Sequence, residues 1–415
     1  MKLTVQKSEV CGVVQAPPSK SHLHRLLTAA ALARGECFVR AGEPSEDILR
    51  TADCLTALGA RVERTEDGFL VRPAGEIVRG AVLDAGESGT TLRFMLPVSC
   101  ALGADARLTG RGRLPSRPLG GLLGTLGAAG IEFSSDRLPL RATGRLVPGD
   151  YRVDASVSSQ YVSGMLLALG SLDGVSTLTA EGRQVSRGYI DMTLEVMRLF
   201  GARAEEKGGV FTVGGGYVSP GETAAEGDWS GAAFMLAAGA LAGDVTVTGL
   251  DPESRQRDRA IADILREMGC DMTFTEMGCR AVKSRLRGVR TDVTDIPDLA
   301  PVLSVLMAAA EGESVMTGVL RLRDKESDRL SAIIKNLEAM GVTVRAAGDS
   351  LTICGGGIRR GFEAEGFADH RMVMSAAVAA LAAGGSVTDA EAVAKSYPAF
   401  VKDLAATGGK VYETV

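Results

Sequence analysis

One pattern recurs six times along the 415-residue chain, at intervals of about 70 residues. A polar, often basic cluster opens an apolar helix rich in Ala, Leu and Met. A short strand rich in Val and Thr follows, then a second, amphipathic helix, then a hairpin. The clusters begin near Ser19, Glu87, Val157, Asp228, Ile296 and Ala368. A repeat of this length constrains the fold before any motif is consulted, because one copy cannot bury its own apolar face and must pack on the next. It also sets six polar helix starts in equivalent places.

Past the opening turn, the first helix of each repeat is nearly all apolar or small, as in Trp229-Ser-Gly-Ala-Ala-Phe-Met-Leu236. A helix apolar all round is buried. None reaches the roughly 18 to 20 unbroken apolar residues of a membrane span, so no membrane partner is expected. The second helices are predicted to begin at Ser45, Ser116, Ser186, Arg255, Lys325 and Ser396, with one apolar face at helical spacing, such as Leu330, Ile333, Ile334, Leu337 and Met340. Five of them run into a glycine stop signal at Gly59, Gly130, Gly201, Gly269 and Gly341.

The sixth repeat lacks one hairpin strand, while the opening segment Lys2–Gln6 is a strand without a repeat. The simplest repair lets that strand complete the last repeat. The expected organisation is then α/β: a continuous domain, 19–226, and a discontinuous one, 1–18 with 227–415, each with three β-α-β-α-β-β repeats.

Composition excludes several classes. A net charge of −5 leaves no overall nucleic-acid footprint. The seven cysteines show no Cys-x-x-Cys spacing and read as reduced core thiols of a cytoplasmic protein. The N-terminus, MKLTVQKSEV, is neither a signal nor a transit peptide. Three histidines without a His-x-x-x-His pair give no metal site. Pro115 stands where a third glycine would be needed after Gly110-Arg-Gly112, and there is no P-loop or nucleophile elbow, so no cofactor is expected.

The helix starts carry the chemistry. Lys20, Arg25, Arg93, Arg117, Lys325, Arg329, His370, Arg371 and Lys395 gather there in an acidic chain, together with Ser21, Ser158, Ser159, Thr90 and Ser186. Helix N-termini offer free N–H groups and partial positive charge, and added Lys, Arg and hydroxyls make a receptor for phosphates and carboxylates. A single serine at such a place is more simply a cap; capping does not explain the basic residues. Asp298 and Glu326 stand among these cations and are candidates for proton transfer. Asp228 and Asp369 read as caps.

The segments Pro18-Ser-Lys-Ser-His-Leu-His-Arg25, Glu87-Ser-Gly-Thr-Thr-Leu-Arg93, Ser116-Arg-Pro118, Val157-Ser-Ser-Gln160, Ser186-Arg-Gly-Tyr189, Ile296-Pro-Asp298, Lys325-Glu-Ser-Asp-Arg329, Asp369-His-Arg371 and Lys395-Ser-Tyr-Pro398 together resemble the signatures of the 3-phosphoshikimate 1-carboxyvinyltransferase (EPSP synthase) family. They occur in the family's order along the whole chain. The resemblance implies a two-domain inside-out α/β barrel, each domain built of three βαβαββ repeats around buried parallel helices. It implies transfer of the enolpyruvyl group of phosphoenolpyruvate to the 5-hydroxyl of shikimate 3-phosphate, without metal or cofactor.

Position by position, the resemblance assigns Lys20, Ser21, Arg25, Ser158, Ser159, Gln160, Ser186, Tyr189, Asp298, Arg321 and Lys325 to shikimate 3-phosphate. It assigns Lys20, Gly89, Thr90, Arg117, Gln160, Arg329, Arg371 and Lys395 to phosphoenolpyruvate. Asp298 is the implied base for the 5-hydroxyl, Glu326 the implied acid for the methylene carbon, and Lys20 the third catalytic residue. The fourth repeat, Asp228-Trp229-Ser230, receives no ligand role. Arg321 and Glu87 stand where some members have Asn, Gly188 and Phe94 where some have Pro. Gly89 leaves room for glyphosate, so a sensitive enzyme is expected, and a monomer. The sister family, UDP-N-acetylglucosamine enolpyruvyl transferase, carries a reactive cysteine in its second repeat; the stretch 111–120 has none here. A non-catalytic anion-binding relative is the other alternative, against which Asp298, Glu326 and the basic residues stand.

Overall fold

The computed structural model describes residues 1–276 and 278–414. The chain forms two compact units: a continuous one, Lys20–Ala225, and a discontinuous one, Met1–Ser19 with Glu226–Val415. Each has its own hydrophobic core.

The six apolar segments are the buried helices. In the continuous unit they are Lys20–Leu32, Gly89–Leu102 and Ser159–Gly170. In the discontinuous unit they are Trp229–Ala242, Ala300–Ala309 and His370–Ala383. Every residue of Trp229–Ala242 is buried, as a helix without a polar face requires. Trp229 lies in the core of this unit, edge-on to Phe274, and its indole N–H donates to the Asp251 carbonyl at 3.0 Å.

Among the described residues, six four-stranded sheets share one strand order. Val82–Asp84 illustrates it. This strand runs parallel to Arg107–Thr109, the strand after the buried helix, as a crossover connection demands. Arg107–Thr109 pairs antiparallel with Leu140–Thr143, and that strand with Glu132–Phe133. In the sixth sheet Lys2–Gln6 fills the place of the missing hairpin strand, antiparallel to both Gly385–Thr388 and Lys410–Thr414. In the continuous unit the late strand Glu222–Ala224 lies parallel to Cys37–Arg40 and supplies the first sheet.

The second helices differ from expectation at four of their starts. Regular α-helix begins at Gly120, Ala260, Arg329 and Phe400, each after a short 3-10 turn. Proline explains two of these. Arg117 precedes Pro118 and is extended at φ −76°, ψ 142°, because the proline ring disfavours helix one residue earlier. Pro398 likewise stands two residues ahead of the last helix, with Tyr397 before it outside any helix. At Lys325 the chain is again extended, and Asp328 caps the helix by accepting from Ser331 N at 3.1 Å. Arg117, Lys325, Glu326 and Lys395 therefore project from backbone just ahead of a regular helix.

The glycines closing five second helices all take positive φ, from 75° at Gly201 to 110° at Gly59, a conformation glycine adopts at least cost. One reading of the cysteines is corrected. Cys11 is exposed and Cys354 half-buried, while the other five are buried. Cys11 sits on the outward face of Val10–Gln15, where side chains alternate between core and solvent. Among the described residues, no helix is long and apolar enough to cross a membrane.

Candidate active site

In the continuous unit the cations meet neutral acceptors. Arg25 is 2% exposed. Its Nε donates to Thr193 Oγ1 at 2.7 Å, and its amino groups donate to Ser163 Oγ at 3.2 Å and to the carbonyls of Tyr189 and Ser21. The guanidinium also lies over the rings of Phe94 and Tyr189, 5.1 and 5.9 Å from their centroids. No carboxylate pairs with it among the described residues. Burial pulls Arg25 down to about 9, with Tyr189 opposing, so at neutral pH it is a buried cation whose charge the protein has not neutralised.

Lys20 is different. Its Nζ donates to Asp47 Oδ2 at 2.8 Å, both side chains being largely buried. Asp47 opens the helix Glu46–Ala57, and no sequence signal separates it from an ordinary first-turn acid. Next to Lys20, His24 Nδ1 pairs with Thr51 at 2.7 Å, Thr51 with Thr91 at 2.8 Å, and Thr91 donates to Ser88 at 2.8 Å. Burial, then Lys20 and Arg25, hold His24 well below its ordinary value and keep it neutral. This network ties the start of the first buried helix to the Gly89-Thr90 turn of the second.

At that turn, Gln160 binds both neighbours. Its amide donates to Thr90 Oγ1 at 2.7 Å, and its carbonyl accepts from Arg93 at 2.6 Å. Gly89 is packed against guanidinium groups: a Cβ there would stand 2.7 Å from Arg117 Nη1 and 2.8 Å from Arg93 Nη1. The serines divide. Ser158 is a true cap, accepting from Gln160 N at 3.2 Å. Ser186 has φ 52°, ψ 46°, and its side chain makes no capping bond. A buried serine held in the left-handed region carries strain that capping does not explain. Ser21, Ser159 and Tyr189 lie along the same helix starts.

In the discontinuous unit the cations meet carboxylates. Arg329 is 1% exposed and fully engaged. Nη1 donates to Asp298 Oδ1, Nη2 to Glu326 Oε2, both at 2.7 Å, and Nε to Asp369 Oδ2 at 2.8 Å. These three acids keep it firmly charged against the cost of its burial. The structure thus places Arg329 among acids, with each of its three nitrogens already donating to a carboxylate. Asp369 is the cap expected from sequence, accepting from Arg371 N at 3.0 Å, and it is also a buried partner of Arg329 and Ser327. Nothing in the sequence marks that second role.

Arg371 reaches Asp298 twice, with Nη1 donating to its carbonyl and Nη2 pairing with Oδ2, both at 3.3 Å. Burial alone would push the Asp298 carboxyl up; Arg371, Lys325 and Arg329 outweigh it and hold the carboxyl well below the usual range. Burial pulls the Lys325 ammonium down to about 8, with Asp298 and Glu326 opposing. Arg321 turns its Nη1 to the Thr294 carbonyl at 2.6 Å. Lys395 donates to the Ala368 carbonyl at 2.8 Å.

Two charge arrangements result. One unit holds a buried cation among neutral groups; the other holds carboxylates restrained by cations, whose proton affinity rises if an anion competes for those cations.

The family model described as EPSP synthase (3-phosphoshikimate 1-carboxyvinyltransferase) matches residues 5–404. A 3-phosphoshikimate 1-carboxyvinyltransferase of Aeropyrum pernix is 42% identical over 418 residues, covering 99% of this chain and 96% of that protein. One from Methanothrix thermoacetophila is 41% identical, covering 99% of each. A solved structure of EPSP synthase from Acinetobacter baumannii superposes with a TM-score of 0.81 at 25% identity, covering 99% of this chain and 100% of that one.

Proposed function

The chain belongs to the EPSP synthase family, and from that premise we propose which side chains carry out the family's reaction. The enzyme transfers the enolpyruvyl group of phosphoenolpyruvate to the 5-hydroxyl of shikimate 3-phosphate, releasing phosphate, in the shikimate pathway to chorismate and the aromatic amino acids.

Arg25 and Lys20 take the phosphate of shikimate 3-phosphate, with Ser21, Ser158, Ser159, Gln160, Ser186 and Tyr189 fixing its ring and hydroxyls. Arg25 supports this because it is a buried, unneutralised cation. Lys20 must first leave Asp47. Arg117, Arg329, Arg371, Lys395 and the Gly89-Thr90 turn take phosphoenolpyruvate. Lys325 and Arg321 face the shikimate ligand.

The observation that carries the proton chemistry is the pair of restraints on Asp298. In the free protein Asp298 is too firmly ionised to be a strong base. When the carboxylate of phosphoenolpyruvate draws on Arg371 and Arg329, those restraints weaken and the proton affinity of Asp298 rises toward what a base needs. The same exchange frees Glu326 from Arg329. Glu326, once protonated, gives its proton to the methylene carbon; C2 becomes cation-like and the 5-hydroxyl oxygen bonds to it while Asp298 takes the hydroxyl proton. In the second half the C2–O bond to phosphate breaks, Asp298 returns its proton to the leaving phosphate, and Glu326 takes one back from the methyl group. Each proton is accounted for.

Asp298→Asn tests the assignment. Phosphate release should fall about 10³-fold, within the range for losing a general base, with the protein folded. Near-normal turnover would remove Asp298 from the role. Glyphosate competes with phosphoenolpyruvate at the Gly89 turn in this reading, the enzyme acts as a monomer, and it works in the cytoplasm.

A further inference from the structure

The buried helix of the fourth repeat has its opening closed by the chain itself. Asp228 accepts from Ser230 N at 3.2 Å. Gln256 accepts from Trp229 N at 3.0 Å, and its amide donates to the Gly227 carbonyl at 2.8 Å. Over the same opening, on the turn Arg257–Arg259, lies Asp258, 1% exposed. Its Oδ2 accepts from Ser230 Oγ. Its Oδ1 is buried and has no hydrogen-bond partner among the described residues, and the same holds for Arg371 Nε.

A buried carboxyl oxygen left unsatisfied is costly. The charges acting on Asp258 come mainly from the reaction centre. They are Asp298 from the start of the fifth repeat, Arg371 from the start of the sixth, and Asp228 from its own. Arg371 in turn is held charged in part by Asp258. Of the arginines on its own turn, Arg259 points to the Pro252 carbonyl.

We propose that Asp258 is a positioning residue for the reaction, setting the charge behind the Arg371–Asp298 pair and thereby how strongly Arg371 takes phosphoenolpyruvate. The inference rests on the assignment of Arg371 to that substrate. Burial pushes the Asp258 carboxyl up to about 7; Asp298 and Asp228 add to this, while Arg371 and the Ser230 hydrogen bond oppose it. Below that pH it is neutral and leaves Arg371 its full charge for the substrate. Above it, Asp258 becomes an anion that competes with the substrate for that charge.

The test uses the full chain with Asp258→Asn and Ser230→Ala, following KM for phosphoenolpyruvate, kcat and thermal midpoint against pH. The wild-type KM should climb several-fold more than that of Asp258→Asn between about pH 6 and 8.5, the span that brackets the Asp258 titration. Ser230→Ala should keep the step but move it to higher pH, since a hydrogen bond favouring the anion is gone. Stability gives an independent reading. A raised folded-state carboxyl means that the unfolded chain ionises first, so wild type loses stability from the ordinary aspartate range near about pH 4 up to about pH 7. Asp258→Asn has no such loss, and the gap in its favour should widen across that window. Parallel KM profiles, or a gap constant with pH, would overturn the proposal. If Asp258→Asn does not fold, Ser230→Ala decides alone: an unmoved step overturns it. Arg371→Gln separates the premise. Should it leave KM for phosphoenolpyruvate unchanged, the assignment of Arg371 fails; should KM rise while the Asp258→Asn profile stays parallel, only this inference fails.

Discussion

Arg25 and Arg329 are the most deeply buried arginines of their respective units, and they are held in opposite ways. Arg25 is surrounded by hydroxyls, carbonyls and aromatic faces; Arg329 is surrounded by Asp298, Glu326 and Asp369. A cation among neutral dipoles is ready for an anion that stays bound throughout. A cation among carboxylates is part of an exchange, in which an incoming anion changes the proton affinity of the acids it displaces. The repeat supplies the same helix start to both units, and the difference lies in what the chain places opposite it.

The contrast breaks most visibly in stability. Arg329→Gln strips the buried Asp369 and the half-buried Asp298 and Glu326 of their counter-charge and should cost about 3 to 5 kcal/mol, with turnover lost. Arg25→Met removes a buried charge whose neighbours can satisfy one another, Thr193 already donating to Ser163 at 2.8 Å; its cost should stay within about 1.5 kcal/mol. Urea titrations of both variants give the answer, and equal costs would erase the distinction.

A smaller effect is expected at Gly89. Its Ala variant must push the Arg117 and Arg93 guanidinium groups by several tenths of an ångström. Inhibition constants for glyphosate and KM for phosphoenolpyruvate should both rise, the latter about tenfold, which corresponds to about 1.4 kcal/mol. KM for shikimate 3-phosphate should move far less. A change in the second constant as large as in the first would mean that the turn serves both ligands alike.

The smallest effect concerns Lys325. With its ammonium pulled down to about 8, it is charged below that pH and neutral above. KM for shikimate 3-phosphate should therefore increase several-fold as the pH rises past this value, and Lys325→Arg, which does not titrate there, should flatten the rise. An unaltered profile in the Arg variant would assign the change to another group.

The sixfold pattern made the elements legible, because helix and strand periods and glycine stops are local properties. Lys2–Gln6 could be given its place only by noticing a repeat one strand short, and the structure pairs it with Lys410–Thr414. The starts of the second helices were less legible: Pro118 and Pro398 were visible, yet the turns that precede the regular helix at Arg257–Arg259 and Leu320–Asp324 carry no strong local mark. Asp369 reads as a cap and Asp47 carries no mark, since their partners Arg329 and Lys20 lie 40 and 27 residues away. Asp258 gave no signal at all, being one acid in a charged, surface-like stretch that the fold turns inward.

The division of labour between the two arginine settings is tested most directly by calorimetric titration of shikimate 3-phosphate into Arg25→Gln and Asp298→Asn. The dissociation constant should rise about 100-fold or more in Arg25→Gln, from the loss of a charge-assisted contact worth about 3 kcal/mol. In Asp298→Asn, whose defect is in turnover, it should change only about threefold. Near-normal binding by Arg25→Gln, with binding lost in Asp298→Asn, would overturn this division between the two arginine settings.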